Sequence, residues 1–389
     1  MSPNSQKGFS RFFESKSLER IILVGVGLKR ESRAMESSLF ELERLTETAG
    51  GEVAEKFYQL LERYHPATLI GHGKVLEIAS ACQRLKSSTV IFDHELTAAQ
   101  QKNIESICRA KILDRSRLIL DIFAKRAQTR EGKIQVELAQ LSYLLPRLTG
   151  SWRGFSQQVG GIGTRGPGER QLEYEKRHIQ LRIRHLKKDL EKVKLSRAVR
   201  RNRRLESGDK QIAIIGYTNA GKSTLLNSLS GSPKTVYADD KLFATLDPHS
   251  RKLRLPQGTP AVLTDTVGFI QRLPTALIAA FHSTLEEIPQ ADCLLIVSDA
   301  TSTDIETQDQ AVLKTLIQLN AAEAPQIKIL NKADTLDFKS RAALRLRYPD
   351  RLLVSAQTGE GLDLLLNQIE KVVRDRKTTP DFDSPRLII

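Results

Sequence analysis

The chain of 389 residues has room for roughly two or three domains, and its 40% hydrophobic content is enough for ordinary buried cores. The sequence contains no apolar run of membrane-spanning length, no secretion signal and no cysteines at metal-ligand spacing, so we expect a cytoplasmic protein. The net charge of +14 predicts a polyanionic partner or a membrane surface, between which charge alone does not decide.

Residues 1–115 are predicted to form an N-terminal α/β domain. Short apolar, β-branched runs alternate there with segments that have helical spacing, which is typical of an α/β unit. The predicted strands span 20–28 and 88–93, and the predicted helices span 34–50, 71–85 and 98–110.

Residues 116–208 are predicted to form a long antiparallel helical hairpin of the coiled-coil type. Strand signals end near residue 115, and apolar residues then recur at spacings of three and four. On the first helix these residues are Ile134, Leu138, Leu141, Leu145 and Leu148, and on the second they are Leu172, Ile179, Ile183, Leu186, Leu190 and Val193. A glycine-rich stretch at 149–168 is expected to be the exposed tip.

Within this stretch, Gly161 to Gly166 fits G-x-G-x-x-G, a pattern that can mark a dinucleotide site. A dinucleotide loop must follow a strand, but helical spacing precedes this loop, so we do not assign it to a nucleotide. Two interpretations remain, a flexible connector or a nucleic-acid contact. The candidate RNA-contact residues are Trp152, Arg153, Arg165 and Arg170. The helix that follows is basic, which fits either a phosphate contact or a solvated face.

The stretch 211–231 predicts a phosphate-binding loop. An apolar strand leads into G-x-x-x-x-G-K-S and then into a helix, which is the context that this motif requires. Glycines allow a tight turn that directs backbone N–H groups at phosphates, Lys222 reaches the β- and γ-phosphates, and the Ser223 hydroxyl is a ligand for Mg²⁺. The predicted nucleotide-binding loop comprises Gly216, Tyr217, Thr218, Asn219, Ala220, Gly221, Lys222 and Ser223.

Two later segments predict guanine as the base. Asp334 can accept hydrogen bonds from guanine N1–H and from its 2-amino group, neither of which adenine offers, and a backbone N–H near Ser355 can meet guanine O6. The residues concerned are Asn331, Lys332, Ala333 and Asp334, which match N-K-x-D, and Ser355, Ala356 and Gln357 after the next strand. The cofactors are therefore expected to be GTP and Mg²⁺, bound by a Ras-like P-loop GTPase domain over 209–375.

The segment Asp265, Thr266, Val267 and Gly268 matches D-x-x-G at the end of a strand. Asp265 is expected to act on Mg²⁺ through a water, and the Gly268 N–H to sense the γ-phosphate. The predicted first switch comprises Phe243, Ala244, Thr245, Leu246 and Asp247. Thr245 is the candidate second Mg²⁺ ligand, with Thr235 as the competing choice.

Phe269 occupies the position where many small GTPases place the glutamine that orients the attacking water. A phenyl ring cannot position water by hydrogen bonding, so another group or a partner must complete the site. The catalytic residue stays unassigned, and His249 and His282 are only alternatives.

Together these motifs resemble the HflX family of translation-factor-class GTPases over roughly residues 20–370. The resemblance is carried by LDRSRLILDIFAKRAQT (113–129), GGIGTRGPGERQLE (160–173), GYTNAGKST (216–224), LFATLDP (242–248), DTVGFI (265–270) and NKAD (331–334). It implies binding to the large ribosomal subunit, with the glycine loop reaching ribosomal RNA, and separation of the subunits of stalled or idle ribosomes. The family's hydrophobic residue after D-x-x-G is present as Phe269.

The leading hypothesis is a monomeric, ribosome-stimulated GTPase that remodels ribosomes. One alternative is an RNA-binding adaptor in which GTP serves only as a docking signal, an interpretation that Phe269 favours. Another alternative, a membrane-surface GTPase, has only the charge in its favour, and we expect no stable membrane association. Residues 376–389 are expected to form a C-terminal tail of undetermined role.

Overall fold

The structure is a computed structural model that describes residues 19–29, 32–148, 167–206, 208–231, 242–243, 248–271, 277, 285 and 287–375. At 32–34, 167–172, 197–198 and 200–206 it describes the backbone. The chain divides into two compact units, Met1–Leu190 with Pro274–Ala280 and Glu191–Leu273 with Phe281–Ile389. Among the described helices, none is long and apolar enough to cross a membrane. The α/β fold class predicted from the sequence is confirmed.

The N-terminal unit contains a four-stranded parallel sheet in the order β2-β1-β3-β4. Apolar side chains of its central strands and of the helices around them form one buried core, with Ile22, Val24 and Phe92 fully enclosed. The elements are β1 Glu19–Leu28, α1 Ser32–Ala49, β2 Gly51–Leu61, α2 His72–Leu85, β3 Thr89–Phe92, α3 Ala98–Cys108 and β4 Lys111–Asp114.

Helices α4 (Arg115–Arg126) and α5 (Arg130–Leu144) follow β4. Asp114 caps α4 by accepting from Arg117 N at 2.8 Å, and Thr129 caps α5 by accepting from Gly132 N at 3.0 Å. Arg115, which follows Asp114 in the chain, is 2% exposed and forms ion pairs with Glu41 at 2.5 Å and Asp93 at 2.8 Å. The Asp114–Arg115 pair of the LDR motif therefore stabilises the N-terminal unit.

Helix α6 (Pro167–Glu206) packs against α5 through part of the predicted seam. Leu138, Leu186 and Leu190 are buried together, with Ile134, Leu141 and Ile183 packed around them. Beside this apolar cluster, Arg182 holds Glu137 with two hydrogen bonds, at 2.7 and 2.9 Å. Among the described side chains of the predicted seam, those of Leu145, Leu148, Ile179 and Val193 are not part of this cluster, and the side chain of Leu172 lies outside the described residues.

The C-terminal unit contains a six-stranded sheet in the order β10-β9-β8-β5-β7-β6, in which only the β6–β7 pair is antiparallel among the described strands. Buried cores lie on this sheet, one including Ile214 and Leu295 and another including Ile215 and Leu294. The elements are β5 Lys210–Gly216, α7 Lys222–Ser230, β6 His249–Arg254, β7 Pro260–Asp265, β8 Cys293–Asp299, α8 Ile305–Gln318, β9 Gln326–Asn331, α9 Phe338–Arg347, β10 Arg351–Leu353 and α10 Leu362–Asp375.

Candidate nucleotide-binding site

The candidate site lies at the carboxyl ends of the parallel strands of the C-terminal unit. Strands β5, β7, β8 and β9 end at Gly216, Asp265, Asp299 and Asn331, and Ser355 follows the end of β10. Because parallel strands end at one edge of a sheet, the predicted motifs meet there, which is where ligands bind in open α/β sheets.

The phosphate loop connects β5 to α7 and requires glycine at both of its ends. Gly216 has a φ of 154°, and a Cβ added there would lie 2.1 Å from the carbonyl oxygen of Val297. Gly221 has a φ of 85°, and its Cβ would lie 2.2 Å from Asn331 Nδ2. Any larger residue at either position would collide with the neighbouring strand or with Asn331, so sequence and geometry agree on the loop.

Lys222 begins α7, and its side chain is buried. Its Nζ donates to the carbonyl oxygen of Tyr217 at 2.8 Å, which folds the side chain back over the loop. Burial lowers the pKa of Lys222 to about 8, although the nearby Asp265 carboxylate opposes this shift. A phosphate placed at the N-terminus of α7 would supply the negative charge that stabilises the ammonium.

Ser223 and Asp265 connect the phosphate loop to the D-x-x-G segment. The Ser223 hydroxyl donates to Asp265 Oδ2 at 2.6 Å, and both residues are buried. A hydroxyl and a carboxylate are oxygen ligands of the kind that Mg²⁺ prefers, so the two side chains fit the predicted metal. The hydroxyl can ligate a metal through its oxygen while its proton still bonds to Asp265.

The D-x-x-G segment is joined to the phosphate loop by backbone hydrogen bonds. Phe269 N–H donates to Gly216 O at 3.1 Å, and Thr218 N–H donates to Phe269 O at 2.8 Å. Gly268 N–H is not among these bonds, but Gly268 itself is tightly enclosed, since an added Cβ would lie 2.9 Å from Lys222 Nζ. The predicted γ-phosphate sensor is therefore next to the predicted phosphate-binding lysine.

The Phe269 side chain packs into the core of the unit. It is 2% exposed and lies among apolar residues that include Ala213, Ile215 and Leu294. The ring is thus a structural residue that anchors the D-x-x-G segment to the sheet. This packing explains why a hydrophobic residue occupies the position and leaves it without a polar group for water.

The predicted guanine-binding residues come from the ends of β9 and β10. Asn331 Nδ2 donates to Ala220 O at 2.9 Å, which ties this segment to the phosphate loop. Ser355 Oγ donates to Asp334 Oδ1 at 2.5 Å, which fixes the carboxylate predicted to read the base. The Ala356 N–H, one of the backbone donors in the segment predicted to meet guanine O6, donates to Asn331 Oδ1 at 2.9 Å. A contact with O6 would share that N–H between two acceptors.

Asp299 is a site residue that sequence reasoning missed. It ends β8 and forms an ion pair with Lys332 Nζ at 2.7 Å, while Lys332 itself has a φ of 68°. The available signal was an acidic residue at the carboxyl end of a buried strand next to the predicted site. The pair fixes the orientation of the N-K-x-D lysine beside the predicted base position.

The other predicted site residues divide into those that the structure describes and those outside the described residues. Tyr217, Thr266, Val267 and Ala333 are buried, Asn219 has a φ of 61° in the phosphate loop, Gln357 is exposed, and Phe243 is buried with a φ of 58°. His249 is exposed at the start of β6. Outside the described residues lie Ala244, Thr245, Leu246, Asp247, Thr235, His282, Trp152, Arg153 and Arg165, and the side chain of Arg170.

Family models cover most of the chain. Residues 36–124 match the model described as GTP-binding GTPase N-terminal, and residues 126–204 match GTP-binding GTPase Middle Region. Residues 211–332 match the model described as 50S ribosome-binding GTPase.

Curated relatives match along nearly the whole chain. GTPase HflX of Lacrimispora saccharolytica is 48% identical, with 92% of this chain and 84% of that protein aligned. The protein of the same name from Escherichia coli is 42% identical, with 90% and 82% aligned. Among solved structures, a GTP-binding protein from the archaeon Sulfolobus solfataricus in complex with GDP is 24% identical to this chain. The alignment covers 92% of this chain and 100% of that protein, with a TM-score of 0.45. On the extent and identity of the curated matches, this chain belongs to the HflX family and is a GTPase.

Proposed function

We propose that this GTPase binds the large ribosomal subunit and uses GTP binding and hydrolysis to remodel or split stalled or idle ribosomes. The observation that carries the proposal is the match of residues 211–332 to a 50S ribosome-binding GTPase model. The net charge of +14 supports it, because ribosomal RNA is the polyanion that such a charge would attract.

In this proposal the protein binds the nucleotide at two places, one for the phosphates and one for the base. The phosphates lie along the N–H groups of the phosphate loop and against Lys222, whose buried ammonium gains a charge partner there. The base lies against Asp334, which accepts from guanine N1–H and the 2-amino group. The hydrogen bond between Asn331 and Ala220 links the two places, so base and phosphates are held in one geometry.

Mg²⁺ would be held by Ser223 and Thr245, with Asp265 acting through a water. When bound, the metal neutralises charge on the β- and γ-phosphates. The Ser223–Asp265 hydrogen bond at 2.6 Å supports this assignment, because it presents the serine oxygen with its proton already engaged.

In the same proposal the arginine-bearing glycine loop contacts ribosomal RNA, and α6 adds phosphate contacts. Several basic residues of α6 are exposed, Arg177, Arg184, Lys187 and Lys188 among them. Between residues 171 and 210 there are fourteen Lys or Arg against six Asp or Glu, which gives the helix a net positive charge suited to an RNA backbone.

Cosedimentation with purified ribosomal subunits tests the proposal. The protein is mixed with small or large subunits in GTP, in GDP and in a non-hydrolysable GTP analogue. We expect it to pellet with large subunits, most strongly in the analogue. Equal pelleting in all three nucleotide conditions would contradict a GTP-driven cycle, and no pelleting with large subunits would contradict the partner.

The adaptor remains a second candidate, because Phe269 is enclosed in the core and offers no group to the attacking water. In that case GTP would stabilise a docking conformation, and ribosomes would not change its hydrolysis. The two candidates therefore differ in whether large subunits accelerate turnover.

A further inference from the structure

The Thr218 side chain lies where the phosphate loop meets the D-x-x-G segment. A Cβ added at Gly268 would lie 2.8 Å from Thr218 Cγ2 and 2.9 Å from Lys222 Nζ. The Thr218 backbone is fixed there by its N–H, which donates to Phe269 O at 2.8 Å. One point beside Gly268 is thus bordered both by the threonine side chain and by the ammonium proposed to hold the β- and γ-phosphates.

The Thr218 hydroxyl is buried without a hydrogen-bond partner among the described residues. The residue is 7% exposed, so water does not readily replace that partner. Other buried threonines of the same unit use their hydroxyls: Thr266 donates to Ile214 O at 2.8 Å and Thr315 to Ala311 O at 3.0 Å. A buried polar atom left unpaired costs free energy and indicates a position where a ligand supplies the partner.

A hydrogen-bond donor at this position would serve the hydrolysis of GTP. Phosphoryl transfer is catalysed mainly by positioning and by stabilising charge on the γ-phosphoryl oxygens. With the Phe269 ring enclosed in the core, the D-x-x-G segment supplies no side-chain donor at that position. The Thr218 side chain borders the same point beside Gly268 as Lys222 Nζ, and it carries a buried hydroxyl on the opposite segment.

We propose that the Thr218 hydroxyl donates a hydrogen bond to a γ-phosphoryl oxygen of bound GTP and is a catalytic residue of the hydrolysis. The hydrogen bond strengthens as negative charge grows on that oxygen in the transition state. Thr218 keeps its proton and forms no covalent bond. This inference rests on the proposed function only in placing the γ-phosphate at Lys222.

Two variants separate the hydroxyl from the shape of the side chain. Thr218→Val replaces the hydroxyl by a methyl group of similar size, and Thr218→Ser keeps the hydroxyl. Single-turnover GTP hydrolysis by the full-length protein without ribosomes should slow by about tenfold to a hundredfold in Thr218→Val, the value of a lost hydrogen bond to a charged group. Thr218→Ser should retain most of the rate.

Three further readouts exclude a purely structural effect. The Kd for GDP should be unchanged in Thr218→Val, because GDP lacks the γ-phosphoryl group. The Tm of this variant without nucleotide should equal or exceed that of the wild type, since the change removes an unpaired buried polar atom. Thr315→Val is the matched control on α8 and should hydrolyse GTP at the wild-type rate.

The proposal is overturned if Thr218→Val hydrolyses GTP as fast as the wild type, or if Thr218→Ser loses as much rate as Thr218→Val. Loss of GDP affinity together with a lower Tm in Thr218→Val would also overturn it, because the hydroxyl would then be structural. The assay contains no ribosomes, so these outcomes can be interpreted even if the protein does not bind the large ribosomal subunit. Failure of the phosphate assignment itself would appear as wild-type GTP affinity in Lys222→Ala.

Discussion

Lys222 is a buried cation whose charge is costly until a phosphate is bound. Its Nζ donates to a backbone carbonyl and lies near Asp265, but burial outweighs both and lowers its pKa to about 8. Nucleotide phosphates favour the charged form, so nucleotide binding raises this pKa again. Binding and protonation of Lys222 are therefore linked.

The linkage predicts how GDP affinity depends on pH. Below pH 8 Lys222 is already charged and the Kd is constant. Above pH 8 binding must take up a proton, so the Kd should rise by up to about tenfold per pH unit. Titrations between pH 7 and 9 measure this slope, and calorimetry at pH 8 in buffers with different ionisation heats should show uptake of about half a proton. Lys222→Arg, which stays charged, is the control; a flat wild-type profile would contradict the linkage.

Asp334→Asn tests the base assignment. The substitution replaces one carboxylate oxygen by an amide donor and removes the charge, so the side chain can no longer accept from both guanine groups. The Kd for GTP should rise about a hundredfold, as expected when one hydrogen bond to a charged group is lost and the other loses its charge. Xanthosine triphosphate should bind the variant instead, because the 2-oxo group of xanthine accepts from an amide. Fluorescent-nucleotide titrations compare the two. Unchanged GTP affinity in the variant would refute the assignment.

At the scale of single residues, the sequence predicted which residues meet at the candidate site better than it predicted their contacts. The motifs name Gly216, Lys222 and Asp334 because backbone geometry and nucleotide chemistry restrict those positions to single residue types. The bond from Ala356 N–H to Asn331 and the ion pair of Lys332 with Asp299 join residues that are distant in the chain. The enclosure of the Phe269 ring likewise depends on packing that no local pattern encodes.

At the scale of elements, the helices and central strands were predictable and the edges of the N-terminal sheet were not. Strand β2 carries charged residues and is half-exposed at one edge, so it lacks a continuous apolar run. Strand β4 has four residues and is followed at once by α4, which begins at Arg115, so no turn residues mark its end. The break between α4 and α5 was also missed, although residues 127–133 contain no large apolar residue and Thr129 caps α5.

The buried ion pairs that join α1, β3 and α4 predict a large stability effect. Arg115→Ala leaves the Glu41 and Asp93 carboxylates without that cation inside the unit, and should lower the free energy of unfolding by about 3–5 kcal/mol. Lys29→Ala removes an exposed ion pair with Glu62 in the same unit and should change the free energy of unfolding by less than about 1 kcal/mol. Denaturant unfolding measures both. Equal effects of the two substitutions would contradict the structural role of Arg115.

The glycine-rich loop is predicted to be an RNA-contacting element and not part of the nucleotide site. Replacing Arg153 and Arg165 by Ala should weaken cosedimentation with large subunits, by less at low salt, where the remaining basic residues compensate. GTP affinity should not change. Arg177→Ala, an exposed residue of α6, is the comparison for loss of a single charge outside the loop. A double variant that lost GTP affinity yet kept ribosome-stimulated turnover would assign the loop to the nucleotide after all.

At the scale of the whole molecule, the chain combines a nucleotide site in one unit with basic segments elsewhere in the sequence. Helix α6 ends at Glu206 and strand β5 begins at Lys210, so only a short connection separates the basic helix from the phosphate loop's own strand. The segments proposed to bind ribosomal RNA, the glycine loop and α6, are therefore joined to the GTPase fold by this short stretch of chain. The proposed function requires that such engagement alters hydrolysis.

GTP turnover measured with and without purified large ribosomal subunits tests this requirement most directly. With no glutamine after D-x-x-G, the protein alone should hydrolyse GTP slowly. Completion of a GTPase site by a partner is worth about 10³ to 10⁵ in rate, so large subunits should raise kcat by a factor in this range, and small subunits should not. A turnover that large subunits leave unchanged would contradict the account and favour the adaptor.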